Sequence, residues 1–505
     1  MRRSHGFVAF SLVASLSLPG ISHAAECVRV IGTESSLPNI TLDPALQVTT
    51  DDSLGVAAIF NKLVKLSDDG LQPVPDLAES WSVSDDGKTW TFKLRPGIKF
   101  SDGKPLSAKD VAYSFKRIID PAVGSSAANT LSFLKAENIK AIDDLTVEFK
   151  TENVVAELPT FFGIKQAYVV QDGAKSEDLR VKPIGTGPFT VETFSPTETR
   201  RVLRKNSNYW KPGLPKAECL EISIMLEEVT RTAAIQSGQA DLMLSIGASS
   251  APILKADPNI EVMLAPPASY LTIAMWSDTK PFDDVRVRQA VKKAIDRQVL
   301  VDTVMLGMAV PGNDSPIPPS WPSAYSPNAP KQDIEGAKKL LAEAGHPNGI
   351  DIELNTAESG GMLGLAQAVQ QMTAPAGIRI QLVNNPGDTY WDTVWLKRPF
   401  FTSTWQSRPP GEALSYLFSS NAKYNEGRWK NPEFDALIAS ARTELDDAKR
   451  VELYKKAQTL LAEQGSVIVP FFYQSVYAMR KACDGFSPPL QVISPNFETV
   501  TCSDR

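Results

Sequence analysis

Between Ser84 and Ile118 the chain reads SDDGKTWTFKLRPGIKFSDGKPLSAKDVAYSFKRI. Trp90, Phe92 and Leu94 alternate with Thr91, Lys93 and Arg95. A period of two predicts a strand with one buried face. Asp85-Asp86-Gly87-Lys88 ahead of it is turn chemistry, and Pro96-Gly97 ends the strand. The period then changes: Val111, Phe115 and Ile118 recur at i, i+4 and i+7, which predicts a helix with one apolar face. Ser107 is placed to cap it, with Asp110 at the third helical position.

The same reading carries along the chain. Strands are predicted at 28–32, 142–150, 221–226, 240–244, 271–276, 352–355, 378–382 and 467–472. Helices are predicted at 53–66, 156–162, 230–237, 334–344 and 361–372, with Gly238 stopping the third. A further helix opens at Asp283-Asp284, and Ile295 and Val299 to Val301 continue its apolar face. Two more fall between 431 and 461, where Asp446 and Arg450 stand one turn apart. Strands alternating with helices predict an α/β fold, and 352–382 reads as a βαβ unit. Two prolines at 266 and 267 precede the strand at 271, where the chain is read as crossing into a second lobe.

Composition narrows the function. The chain has 505 residues, of which 43% are hydrophobic and 22% charged, enough for about two to three packed domains. A formal net charge of −6 argues against nucleic acid or an anionic membrane as partner. Residues 1–25 read as a secretory leader: Arg2 and Arg3, an apolar run at 7–18 too short to span a bilayer, then Ser22-His23-Ala24. Cleavage is expected after Ala24 or Ala25, which places the protein in the periplasm. Cys27 lies beyond that point, so a freely soluble exported protein is expected rather than a lipoprotein. No later run approaches the ~20 apolar residues of a membrane span.

Four cysteines in an exported chain, Cys27, Cys219, Cys483 and Cys502, suggest two disulfides, with three pairings open. Of three histidines, His5 and His23 fall in the leader, leaving His346. Histidine-led catalysis and multi-histidine metal sites are thereby nearly excluded, and no cofactor is expected. An exported hydrolase remains the enzyme alternative, yet there is no G-x-S-x-G elbow. Pro183-Ile184-Gly185-Thr186-Gly187-Pro188-Phe189 lacks the GK[ST] ending of a phosphate loop and reads as a turn into a strand.

The run DGKTWTFKLRPGIKFSDGKPLSAKDVAYSFKR resembles the hallmark of bacterial extracellular solute-binding proteins, family 5, which serve peptide, nickel and opine ABC transporters. PIGTGPF and FDDVRVRQAVKKAIDR are similar to further signatures of that family. The resemblance implies a two-lobed periplasmic-binding-protein clamshell, class II, of the large peptide-binding type with an extra subdomain in lobe I. Lobe I would hold residues 26–268, with the inserted subdomain at about 70–185. Lobe II would hold 269–474, and 475–505 would return to lobe I. It also implies the pairs Cys27–Cys219 and Cys483–Cys502. The implied partners are a small solute and the permease and ATPase subunits of an importer, with the binding protein a monomer that touches no nucleic acid. A peptide or peptide-like solute is the default; an opine or sugar phosphate is the alternative. A sensor that hands its ligand to a receptor is a third reading.

By the same resemblance the cleft is lined at three places: Glu34 and Ser35 after the first strand, Tyr270 and Trp276 at the start of the second lobe, and Trp405, Arg408 and Glu412 in WQSRPPGE. Trp405 would offer a flat wall, or be a core tryptophan. Arg408 would offer a fork of donors to a carboxylate or phosphate, or lie solvated. The third loop lacks the Asp-Pro with which peptide binders hold an α-ammonium, which leaves Glu412 as the nearby candidate. Glu358, Ser359 and Gly360 precede the helix expected at 361–372, where free N–H groups suit an anion or simply await a cap.

Overall fold

In the computed structural model, residues 27–32, 40–67, 72–247, 250–387, 389–490 and 495–503 are described. The expected leader at 1–25 lies outside them. Two seven-stranded sheets organise the chain. In the first, Val28–Gly32 is central and runs parallel to both neighbours, Cys219–Ile224 and Leu242–Met243. Arg200–Lys205 and Phe189–Thr193 extend one side; Val476–Arg480 and Ile260–Leu264 extend the other. In the second, Ser269–Met275 is buried along its whole length and pairs antiparallel with Phe400–Gln406. Ile350–Ala357 and Ile378–Asn385 continue this sheet in parallel, joined by the helix Met362–Thr373 as the βαβ pattern predicts.

The chain passes between the two sheets twice. Residues 265–268 join Ile260–Leu264 to Ser269–Met275, and 474–475 join Phe471–Tyr473 to Val476–Arg480. The two connectors are bonded to each other. Ala265 N–H donates to the Ser475 carbonyl at 2.9 Å and Ala268 N–H to that of Tyr473 at 3.2 Å. Gln474 Nε2 donates to the Ala265 carbonyl at 2.9 Å.

A third, four-stranded antiparallel sheet holds Ala78–Val83, Thr89–Leu94, Thr146–Lys150 and Ile139–Ala141. Trp90, Phe92 and Leu94 face inward as their alternation predicts. The helix Ala108–Ile119 packs on this sheet, and Phe92, Phe115, Phe149 and Phe162 meet ring to ring at 4.3–5.6 Å. The Asp110 carboxylate reaches back to the Ser107 N–H at 2.7 Å.

The disulfide Cys27–Cys219 ties the start of the described chain to the first sheet, and Cys483–Cys502 joins the two strands of a short separate ladder, Cys483–Asp484 and Thr501–Cys502. Asp241 lies beside Cys483 and Cys502, but those sulfurs are bonded to each other and Asp241 receives Arg29 at 2.9 Å. No helix among the described residues is long and apolar enough to cross a membrane.

Several elements end where polar contacts, not periodicity, decide. The helix expected over 53–66 runs Thr50–Ile59. Thr49 and Asp52 form a capping box that starts it early; Phe60 turns extended, and Val64–Leu66 becomes a strand paired with Pro73–Pro75. The helix expected from 283 through 301 is two, Val285–Lys293 and Arg297–Val304. Asp296 restarts it by accepting from Gln298 N (3.0 Å) and Val299 N (3.1 Å). The strand expected over 142–150 begins only at Thr146. Asp446 does not pair with Arg450; it caps the helix Asp447–Gln464, while Arg450 pairs with Asp447.

The far end of that helix is also held. Its last carbonyls receive Lys292 Nζ (Ala462 O, 2.8 Å), Gln289 Nε2 (Glu463 O, 2.9 Å) and Arg288 Nη2 (Gln464 O, 2.6 Å). Donors from a neighbouring helix thus satisfy acceptors that a helix leaves open. Burial pushes the Lys292 ammonium down to about 8, opposed by Asp314 and reinforced by Arg288 and Arg297. Between pH 8 and the ordinary lysine value of 10.5 the unfolded chain binds the proton that the folded chain has lost. Stability contributed by this residue therefore rises with pH across that window. The difference in unfolding free energy between the native protein and Lys292→Met should grow on going from pH 8 to pH 10, measured by urea unfolding; a flat difference would remove the assignment.

Candidate functional site

A cavity of about 470 Å³ opens between the two sheets. One wall follows the helix Thr50–Ile59 and supplies Asn61, Lys62, Lys65 and Asp76, with Tyr209 and Lys211 beside them. The four-stranded unit's neighbours, among them Lys165 and Gln166, close its side. The opposite wall comes from the second half: Trp321, Arg408, Glu412 and Tyr416. Pro489 and Leu490 with 495–498 form part of the rim.

The first wall is built on close approach of backbones. Gly185 and Gly187 lie against the end of the helix Thr50–Ile59. A Cβ on Gly185 would overlap the Ile59 carbonyl, and one on Gly187 would stand 2.5 Å from the Ile59 carbonyl carbon. Gly187 N–H donates to Ile59 O at 2.8 Å, and Thr186 Oγ1 and Trp210 Nε1 both donate to Asn61 Oδ1 at 3.2 Å. This turn fixes the direction in which Asn61 and Lys62 leave the helix.

Lys62 is buried. Its ammonium donates to the Gly163 carbonyl at 2.7 Å and sits 4.8 Å from the centre of the Tyr168 ring. Burial pushes it down to about 8, with Asp76 pulling the other way. Asp76 is raised by its own burial, partly offset by the Lys62 N–H that donates to it at 2.9 Å. Burial alone would raise Glu498, but Lys211 Nζ at 2.7 and 2.8 Å and the Tyr209 hydroxyl bring it below the usual carboxylate range. Across the cavity, Arg408 pairs with Glu412 and lies 5.1 Å from the Tyr416 ring centre.

At the lip the two halves touch. Glu157, which follows the four-stranded sheet, accepts from the Tyr454 hydroxyl and lies 3.8 Å from Arg450, both on the helix Asp447–Gln464. Ala156 N–H donates to the Arg442 carbonyl at 3.0 Å. Gly411 packs on this contact, and a Cβ there would strike the Glu157 carboxylate.

Of the residues expected to line a cleft, Arg408 and Glu412 border the cavity. Glu34 and Ser35 lie outside the described residues. Tyr270 does not border it. Its strand is buried on both faces, its side chain is 1% exposed, and its ring packs on Phe472 at 5.2 Å. Trp276 follows the far end of that strand, in the core of the second half under the Arg428 guanidinium. Trp405 pairs with Tyr270 across the sheet and is packed among Trp395 and Tyr424; Trp321 and Tyr416 supply the aromatic wall instead. Glu358, Ser359 and Gly360 are exposed and away from the cavity. Gly360 and Gly361 take left-handed φ of 53° and 85°, a turn that starts the helix toward solvent. Lys62, Asp76, Lys211 and Glu498 went unnoticed in the sequence. Only the aromatic-basic Tyr209-Trp210-Lys211 offered a local signal.

Comparison with known proteins agrees with this architecture. The family model "Bacterial extracellular solute-binding proteins, family 5 Middle" matches residues 72–426. The chain is 31% identical to the glutathione-binding protein GsiB of Escherichia coli (strain K12), over 95% of both chains. Among solved structures, HbpA2 from Haemophilus parasuis superposes with a TM-score of 0.81 at 26% identity, covering 94% of this chain and 99% of that one. DppA from Helicobacter pylori, solved in complex with the peptide STSA, gives 0.77 at 25% identity, covering 95% and 98%. With a family model spanning well over half of its length and a relative matched almost end to end, this chain belongs to the bacterial extracellular solute-binding proteins of family 5.

Proposed function

We propose that this protein is the substrate-binding subunit of an ABC importer, taking a small peptide or peptide-like solute from the periplasm and presenting it to a permease. The observation that carries the reading is the cavity whose walls come from the two halves of the chain, which among the described residues pass into each other only at 265–268 and 474–475. Two halves on two adjacent straps form a hinge, and a guest that touches both walls favours the shut state. Lobe I is then 26–268 and 475–505, with its subdomain at about 70–185, and lobe II is 269–474. GsiB and DppA, named for glutathione and crystallised with a peptide, support the solute class. The leader, cleaved after Ala24 or Ala25, delivers a soluble monomer.

The protein binds its guest without changing it. Among the described residues, the cavity's acids are each held by a cation or an N–H donor, and no histidine borders it. Native mass spectrometry of the protein purified from periplasm should show a retained small solute. Solution scattering should show a more compact particle when that solute is restored. At 100 times its Kd the solute should add about 2.7 kcal/mol to unfolding stability. A scattering profile indifferent to every candidate solute, or turnover of one, would overturn the reading.

A further inference from the structure

Among the described residues, the charges around the cavity are unequal: Lys62, Lys65, Lys165, Lys211 and Arg408 border it, against Asp76, Glu412 and Glu498. The three acids are already engaged. Glu498 holds Lys211 and the Tyr209 hydroxyl, and Glu412 holds Arg408. Asp76 accepts the Lys62 N–H and lies within the field of Lys65 and Lys211. A solute ammonium would therefore have to displace a native cation at Glu412 or Glu498, and at Asp76 it would meet a carboxylate that already accepts an N–H.

Two of the cations are less fully engaged. The Lys62 ammonium is buried and hydrogen-bonded to a neutral carbonyl and an aromatic face, not to a carboxylate. Burying an ammonium without a bonded counter-ion is unfavourable, and an anion brought alongside relieves it. Arg408 uses Nη1 for Glu412, and its Nη2, unlike the buried Nε, is open and makes no hydrogen bond among the described residues.

We propose that the solute is a net anion carrying at least two carboxylates, one gripped by Lys62 and Lys65 on the first wall and one by the outer guanidinium nitrogens of Arg408 on the second. The charged ends thus bridge the two halves, and the middle of the solute lies against Trp321 and Tyr416. This rests on the reading of the cavity as the solute cleft and narrows it: acidic peptide-like solutes are taken, and their amides and ordinary zwitterionic peptides are not.

The test is a panel of solutes in matched pairs. It holds acidic di- and tripeptides and N-carboxyalkyl amino acids with free carboxylates, each beside its amidated counterpart. Binding to the full mature protein is followed by thermal shift and then by calorimetry. An acidic member should bind with its amide at least 100-fold weaker. Lys62→Met and Arg408→Gln should each weaken that acidic member at least tenfold, with melting of the unliganded variants confirming that they fold. If an amidated or zwitterionic member binds as tightly as its acidic counterpart, the inference falls and solute capture stands. The same holds if an acidic member binds equally well to both folded variants. If no member of either kind binds and scattering never changes, both fall together.

Discussion

Replacing Gly185 with alanine should lower unfolding stability by about 3 kcal/mol. The added Cβ would overlap the Ile59 carbonyl oxygen, and the next atoms it meets are the Ile59 carbonyl carbon and the Phe60 ring, both at 2.9 Å. Relief cannot come from a rotamer change, because the obstructing atoms are backbone at the end of a helix. Either the helix Thr50–Ile59 moves away or the turn does. Both movements break the Gly187-to-Ile59 hydrogen bond at 2.8 Å and loosen Asn61, which Thr186 and Trp210 hold. Since Lys62 follows Asn61 into the cavity wall, solute affinity should fall with stability. Urea unfolding of the unliganded protein is the measurement. A Gly185→Ala unfolding free energy within about 0.5 kcal/mol of the parent's would show that the backbones can part without cost.

Arg297→Met should cost about 3–5 kcal/mol. Arg297 and Asp314 form an ion pair at 2.7 Å with side chains only 1% and 3% exposed. The Asp314 carboxylate also accepts the Val469 N–H at 3.2 Å, which ties the loop after Ala309–Pro311 to the returning strands. Methionine fills much of the arginine's volume but leaves a buried carboxylate without its cation. Adding Asp314→Asn to that variant removes the stranded charge, keeps an acceptor for Val469, and suits a residue already at a left-handed φ of 60°. The double variant should therefore be more stable than Arg297→Met alone. If the two are equally destabilised, the loss is one of packing, and the ion pair is not its source.

How far the sequence could be read depended on whether a feature was local. The alternation of Trp90, Phe92 and Leu94 and the capping by Ser107 and Asp110 are matters of neighbours in the chain, and they fold as the pattern predicts. Helix ends were harder. Phe60 leaves its helix where the Ile59 carbonyl accepts the N–H of Gly187, far along the chain, at 2.8 Å. The cavity was hardest. Lys62, Lys211, Arg408 and Glu498 share it only because two sheets bring distant segments together. Tyr270 and Trp276 have the residue types of a cleft wall, but a strand buried on both faces gives no local sign of which side chains stand behind the wall. Gly360 and Gly361 do start a helix, yet their spacing cannot say that it opens to solvent.

The cross-bonded connectors have a mechanical consequence. Ala265, Ala268, Tyr473, Gln474 and Ser475 are stitched into one narrow ribbon, so neither crossing can swivel without its neighbour. A ribbon bends readily about the line across its width and resists corkscrew and sideways slip. The protein should accordingly travel along one arc, like a door on a piano hinge. A bulkier or slimmer guest then registers as a single quantity, the angle at which the door comes to rest.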